Sequence, residues 1–171
     1  SWTGTASNAT VGHGLGVAPK MVIVKNRSAT ASWLCYHSGL TSAVYYISLN
    51  QTAAETSAST VWNSTAPTSS VFSLGSEASV NGSSNNLIAY CFAEIKGYSK
   101  IGSYTGNGNA NGAFIHTGFK PALVIYKRTD TGADWHMYDN KRDPINEMDL
   151  CLFPSANLGD SAGDALDFLS N

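Results

Sequence analysis

Residues 16–36 read GVAPKMVIVKNRSATASWLCY, and residues 118–138 read GFKPALVIYKRTDTGADWHMY. Laid over each other without a gap, 102 residues apart, the two stretches agree at eight of 21 positions. The identities are Gly16/Gly118, Pro19/Pro121, Val22/Val124, Ile23/Ile125, Lys25/Lys127, Ala31/Ala133, Trp33/Trp135 and Tyr36/Tyr138. Unrelated windows share roughly one or two, so the chain carries an internal repeat. Each copy opens on a Pro followed by a β-branched run, at 20–26 and 122–128. Proline cannot donate to a ladder and suits a strand's first position. Further on, a Trp and a Tyr stand three apart, on opposite faces of a second strand. The same two-strand pattern is written twice, and both times it is β.

Working outward, further strand signals lie at 44–49, 71–74 and 87–94, and 150–153 echoes 47–49 with a one-residue slip. Loops rich in Ser, Thr, Asn and Gly separate them, at 26–32, 80–86, 106–112 and 129–134. Short strands at this spacing predict an all-β fold: an antiparallel, jelly-roll-like β-sandwich. The repeat divides it into residues 1–102, a complete first unit, and 103–171, a C-terminally shortened second unit, the two packing as one compact domain. Counterparts of 71–74 and 87–94 would fall at about 173 and about 189. The second unit is therefore expected to be completed from outside the segment, by further residues or a neighbouring subunit. Helical candidates are two. Residues 52–60 suit one or two turns, and 160–169 places Leu166 and Leu169 three apart behind Asp160 as N-cap.

Composition narrows the function classes. The chain of 171 residues is 43% hydrophobic, enough for a core, but only 13% charged, about half the usual share. Ser, Thr, Asn and Gly number 22, 14, 14 and 16, a surface of hydroxyls, amides and bare backbone. Such surfaces suit extracellular and virion β-proteins, which need many tight turns. Net charge is −2 and the ten Lys and Arg are scattered, which argues against nucleic acid as partner. No apolar run is long enough for a membrane span, and residues 1–2 begin no signal peptide. Acids concentrate late: Asp130 is the first Asp, and nine Asp and Glu fall in 130–171. Cys35, Cys91 and Cys151 are odd in number and lack Cys-x-x-Cys spacing. They are read as thiols, Cys35 and Cys91 as small core residues.

Catalytic and cofactor motifs fail one by one. The glycine-rich stretches 12–16 and 106–112 lead into strands, whereas a phosphate cradle must open a helix. His13, His37, His116 and His136 have no metal-ligand spacing. No Gly-x-Ser-x-Gly elbow occurs. Residues 130–135 (DTGADW) partly resemble the Asp-box hairpin of sialidase-like propellers, a turn before a packed Trp. No enzyme activity and no cofactor are expected. Asp160 and Asp164, with Asp139 and Asp143 as a second pair, are the calcium candidates, because loop carboxylates supply hard oxygen ligands. Trp2, Trp62 and Tyr98 lie near loops and are the candidates for stacking on a glycan. Trp33 and Trp135, matched between repeats, are assigned to the core.

Four segments carry a family resemblance: 13–27 (HGLGVAPKMVIVKNR), 62–72 (WNSTAPTSSVF), 88–94 (IAYCFAE) and 97–106 (GYSKIGSYTG). With them the chain resembles, over nearly its whole length, a domain family of marine and other tailed bacteriophages whose members are virion or tail-fibre-like proteins. The resemblance implies chains that run on past 167–171 into a Gly-Phe strand and a closing aromatic strand. It brings no catalytic residue. The resulting expectation is a virion or extracellular structural or adhesive protein, a tail fibre or surface appendage, presenting loops to a host surface glycan or a neighbouring subunit. Its partners would be copies of itself or other virion subunits, with no membrane insertion. The alternatives are a carbohydrate-binding module of a larger extracellular enzyme and a glycan-degrading fibre enzyme.

Overall fold

The computed structural model describes residues 1–170, apart from the side chain of Asp164. In chain order the first half forms β1 (Trp2–Thr3), β2 (Ala9–Gly12), β3 (Met21–Asn26), β4 (Leu34–His37), β5 (Tyr45–Ser48) and β6 (Thr56–Ser57). It continues with α1 (Ser59–Trp62), β7 (Val71–Leu74), α2 (Ala78–Asn81) and β8 (Asn86–Phe92). The second half adds β9 (Leu123–Lys127), β10 (Trp135–Asp139), β11 (Met148–Cys151) and β12 (Ser161–Leu166). The protein is all-β, and every strand pairing among the described residues is antiparallel.

A six-stranded sheet runs β1-β8-β3-β4-β5-β6. Alternation along β3 decides its faces: Val22 and Val24 are fully buried while Met21, Ile23 and Lys25 are only half-buried. The inner face, with Leu34, Tyr36 and Leu87, packs against the two-stranded β2–β7 ribbon through Phe72 and Leu74 and against α1 and α2 through Val61, Trp62 and Val80. Buried amides tie the edges of this core. Asn81 accepts from the Thr5 amide at 2.9 Å and donates to the carbonyls of Ser7 (2.6 Å) and Gly75 (2.9 Å). Asn26 donates to the Ala78 carbonyl at 3.0 Å. Gly75 has to be Gly: a Cβ there would lie 2.1 Å from the Thr60 carbonyl oxygen.

The second half repeats the central hairpin. In β3–β4, Met21, Val22, Ile23 and Val24 face His37, Tyr36, Cys35 and Leu34. In β9–β10, Leu123, Val124, Ile125 and Tyr126 face Asp139, Tyr138, Met137 and His136, the same register 102 residues on. The next strand is displaced. Cys35 pairs with Ile47, whereas Met137 bridges to Leu152, an offset of 105 for the partner. The one-residue slip expected from the sequence is thus three: 15 positions separate Met137 from Leu152, against 12 between Cys35 and Ile47. The even residues Val124 and Tyr138 turn inward onto Met148, Cys151 and Phe168 and form a separate small core.

Two helical expectations change. Residues 160–169 hold a strand, β12, paired with β11; the backbone groups along the edge of β11 need a ladder partner more than Leu166 and Leu169 need a helix. Within 52–60, residues 56–57 form a strand on β5 and helix begins only at Ser59. Cys35, Cys91 and Cys151 are thiols, as expected. Cys35 is fully buried, and burial pushes its pKa up to about 12.

Candidate functional site

The three glycan-stacking candidates are not brought together, and two are corrected. Trp2 enters the sheet as β1 beside β8 and meets the Phe72 ring edge-on at 5.8 Å. Trp62 is 2% exposed: α1 lays it across the inner face, edge-on to Tyr36 at 6.2 Å. Trp62 is a core residue and Trp2, partly buried, packs against the same core, because each falls where the second layer must cover the sheet. Tyr98 is 77% exposed. It sits in the turn closed by its amide on the Ile95 carbonyl (2.9 Å), beside the Lys100–Glu94 ion pair at 3.1 Å. The Ile101 amide and then Lys100 hold the Glu94 carboxyl below its usual range.

Trp33, expected in the core, lies outside the buried core clusters and is partly buried on the outer face of the six-stranded sheet. Its ring stacks on Tyr90 of β8, centroids 6.4 Å apart and planes 23° off parallel, and the Lys25 ammonium stands 5.7 Å from its centroid. Phe92, on the same face of β8, is 45% exposed, as is Tyr90. Lys25, Trp33, Tyr90 and Phe92 form an aromatic strip that the sequence reading missed. Residues 87–94 look like one apolar run; the missed signal was its alternation of small Ala89 and Cys91 with large Ile88, Tyr90 and Phe92.

Trp135, by contrast, is 3% exposed, because it lies on the first half. It packs on Cys35, Leu40 and Ile47 of the outer face, and its indole N–H donates to the Ser48 carbonyl at 2.9 Å. Around it, the Ala133 amide donates to the Thr52 carbonyl at 2.8 Å, the Lys127 ammonium to the same oxygen at 3.2 Å, and the Glu55 amide to the Thr129 carbonyl at 2.9 Å. Burial lowers the pKa of Lys127. The second hairpin therefore docks by its tip onto the loop after β5. Its own outer face stays open: Leu123 is 54% exposed and Ile125 44%.

The carboxylates serve turns. Asp139 accepts from the amides of Lys141 and Arg142, each at 3.0 Å, and from the Arg142 guanidinium at 2.6 Å. Those bonds, the Arg142 amide first, hold its pKa down. Asp143 accepts from the Asp149 amide at 2.8 Å, and Asp134 from the Ser155 hydroxyl at 2.8 Å. Asp160 is exposed, and the Asp164 side chain lies outside the described residues. Among the described residues no three His, Cys, Asp or Glu side chains converge as a metal site. Of the histidines, His37 accepts from the Gly39 amide at 2.9 Å and its pKa is lowered by burial. His136 stacks on Tyr126 at 4.9 Å. None of the described residues forms a helix long and apolar enough to cross a membrane.

Fold and surface together define a class: an antiparallel β-protein with apolar side chains exposed on its sheet faces. Residues 1–171 match the family described as a domain of unknown function, DUF7483, and the chain belongs to that family. No curated protein and no solved structure matches it.

Proposed function

We propose that the protein is a non-enzymatic structural and adhesive component of a bacteriophage particle, a tail fibre or surface appendage, located on the virion. In this view its architecture is a β-sandwich of two diverged tandem repeats that works by docking. The observation that carries it is the uncovered apolar sheet surface: Tyr90, Phe92, Leu123 and Ile125 are each 44–54% exposed. Apolar side chains left exposed on a sheet face of each half mark candidate interaction sites. The sparsely charged, hydroxyl-rich remainder supports the same assignment. Antibody raised to the chain should decorate purified phage particles from the producing culture and slow their adsorption to host cells. Particles that carry none of this chain by mass spectrometry would overturn the proposal.

A second function, carbohydrate binding, is favoured by one specific observation. Trp33 stacked on Tyr90 beneath the Lys25 ammonium offers a flat aromatic surface with a donor at its rim. Sugar rings stack on such surfaces, and multiple copies raise weak single-site affinity. This moves the contact from Trp2 and Trp62 to the sheet face. Retention on immobilised host polysaccharide, lost in Tyr90→Ala, is the expected result; equal retention of both proteins would exclude the platform. A glycan-degrading enzyme would need two carboxylates facing across a groove, and Asp139 and Asp143 are committed to backbone amides within turns.

A further inference from the structure

The contact by which the second hairpin docks on the first half has two sides, and each side has an equivalent elsewhere in the chain that keeps part of its surface exposed. On the inserting side stand Lys127, Ala133 and Trp135, which bond to the carbonyls of Ser48 and Thr52. Their equivalents in the first hairpin are Lys25, Ala31 and Trp33, three of the eight identities between the two stretches. Strand register alone does not require those identities: Lys25 and Trp33 are half-buried, and Ala31 lies in a loop. A shared docking task explains them.

The receiving side is also present twice. In the first half it comprises the outer face, with Met21, Ile23, Cys35 and Ile47, and the loop after β5. Leu123, Ile125, Met137 and Leu152 hold the matching places in the second half. The loops correspond as well, at the offset of 105. The Trp33 amide donates to the Asn50 side chain at 2.9 Å and the Trp135 amide to the Ser155 hydroxyl at 3.0 Å. The Gln51 amide donates to the Ser48 carbonyl at 3.2 Å and the Ala156 amide to the Phe153 carbonyl at 2.9 Å. The Phe153 carbonyl thus stands where the Ser48 carbonyl receives the Trp135 indole, and a carbonyl has two lone pairs.

We infer that a second copy of this chain docks head to tail: Trp33 of one copy lies on Leu123, Ile125 and Met137 of the next, its indole N–H donating to the Phe153 carbonyl. The contact reproduces between molecules what Trp135 makes within one. It is heterologous, since each copy keeps one inserting and one receiving side, so it propagates into a ring or a filament. The inference rests on the structural proposal above but fails separately from it: a monomeric chain can still decorate a particle.

Sedimentation velocity on the 171-residue chain, from micromolar to millimolar concentration, tests it. The wild type should grow beyond a dimer as concentration rises. Ile125→Asp, on an exposed side chain, and Trp33→Ala should each weaken association about tenfold or more. Ala31→Arg, a loop change, replaces Trp33→Ala if circular dichroism shows that variant unfolded. An equimolar mixture of the inserting-side and receiving-side variants retains one intact contact, so it should stop at a heterodimer. A wild type that stays monomeric at millimolar concentration, an association indifferent to Ile125→Asp, or a mixture that forms no heterodimer would overturn the inference.

Discussion

Trp33 and Trp135 occupy equivalent places in two hairpins of one register, yet their surroundings give them different energetic weight. Trp135 is sealed against Cys35, Leu40 and Ile47 and its indole bonds to the Ser48 carbonyl. Truncating it to Ala should cost about 3–5 kcal/mol of stability. Trp33 is only partly buried, with one ring face on Tyr90, so its Ala variant should cost about 1–2 kcal/mol in dilute solution, from lost stacking and partial burial. Urea unfolding of both variants settles the order; equal losses would contradict it. Gly75→Ala belongs to the same scale. Its new Cβ would meet the Thr60 backbone at 2.1 Å, and since backbone cannot rotate away, a loss of about 1–3 kcal/mol is expected. Gly102→Ala, with open space around it and no positive φ, should stay within about 0.5 kcal/mol of wild type.

At the scale of elements, acid should loosen the turn after β10 and the segment after β8. The carboxyls of Asp139 and Glu94 both titrate below their ordinary values, held down first by the amides of Arg142 and Ile101. A depressed carboxyl contributes stability that is complete above its unfolded pKa, about 4, and is lost as pH falls through the lower folded value. His37, whose pKa burial lowers, acts earlier. Its contribution is complete above about 6.5 and declines as pH falls from there toward the folded value. The thermal midpoint should therefore fall in two stages on acidification. His37→Gln should flatten the first and Asp139→Asn the second. A midpoint in His37→Gln that tracks wild type between pH 7 and pH 5 would refute the assignment.

Across the whole molecule, the two halves differ in how their strands are flanked. β3 lies between β8 and β4, whereas β9 pairs only with β10 among the described residues. The Asn140 amide on the Ala122 carbonyl sets the phase of that ladder. Antiparallel pairs alternate, so the backbone N–H groups of Leu123 and Ile125 point away from β10. Open edges of this kind invite further pairing. In dilute solution the amides of Leu123 and Ile125 should exchange with deuterium much faster than those of Met21 and Ile23, which pair with β8. Equal protection in a monomer would mean that the β9 edge is already satisfied within the chain.

Local chemistry alone determined a good deal of this protein. The Pro-led β-branched runs, the Trp and Tyr three apart, and the loops of Ser, Asn and Gly specified an antiparallel β-protein with one hairpin in two copies. Each of those signals acts within a few residues, through sterics and alternation, and so is written in the chain. The destination of each aromatic was not. Trp62 looks like a loop tryptophan and became core, Trp2 packs against that core, Trp33 looked like core and is only partly buried on the outer sheet face, and residues 160–169 exchanged a helical pattern for a strand on β11. Burial is a property of what lies opposite, and that is set by residues far along the chain: Phe72 for Trp2, Tyr36 for Trp62, Ser48 for Trp135. The same hairpin written twice cannot say which copy is covered. Only the tertiary structure, by laying Trp135 on the first half, decided that Trp135 is sealed while Trp33 stays only partly buried and Leu123 and Ile125 exposed.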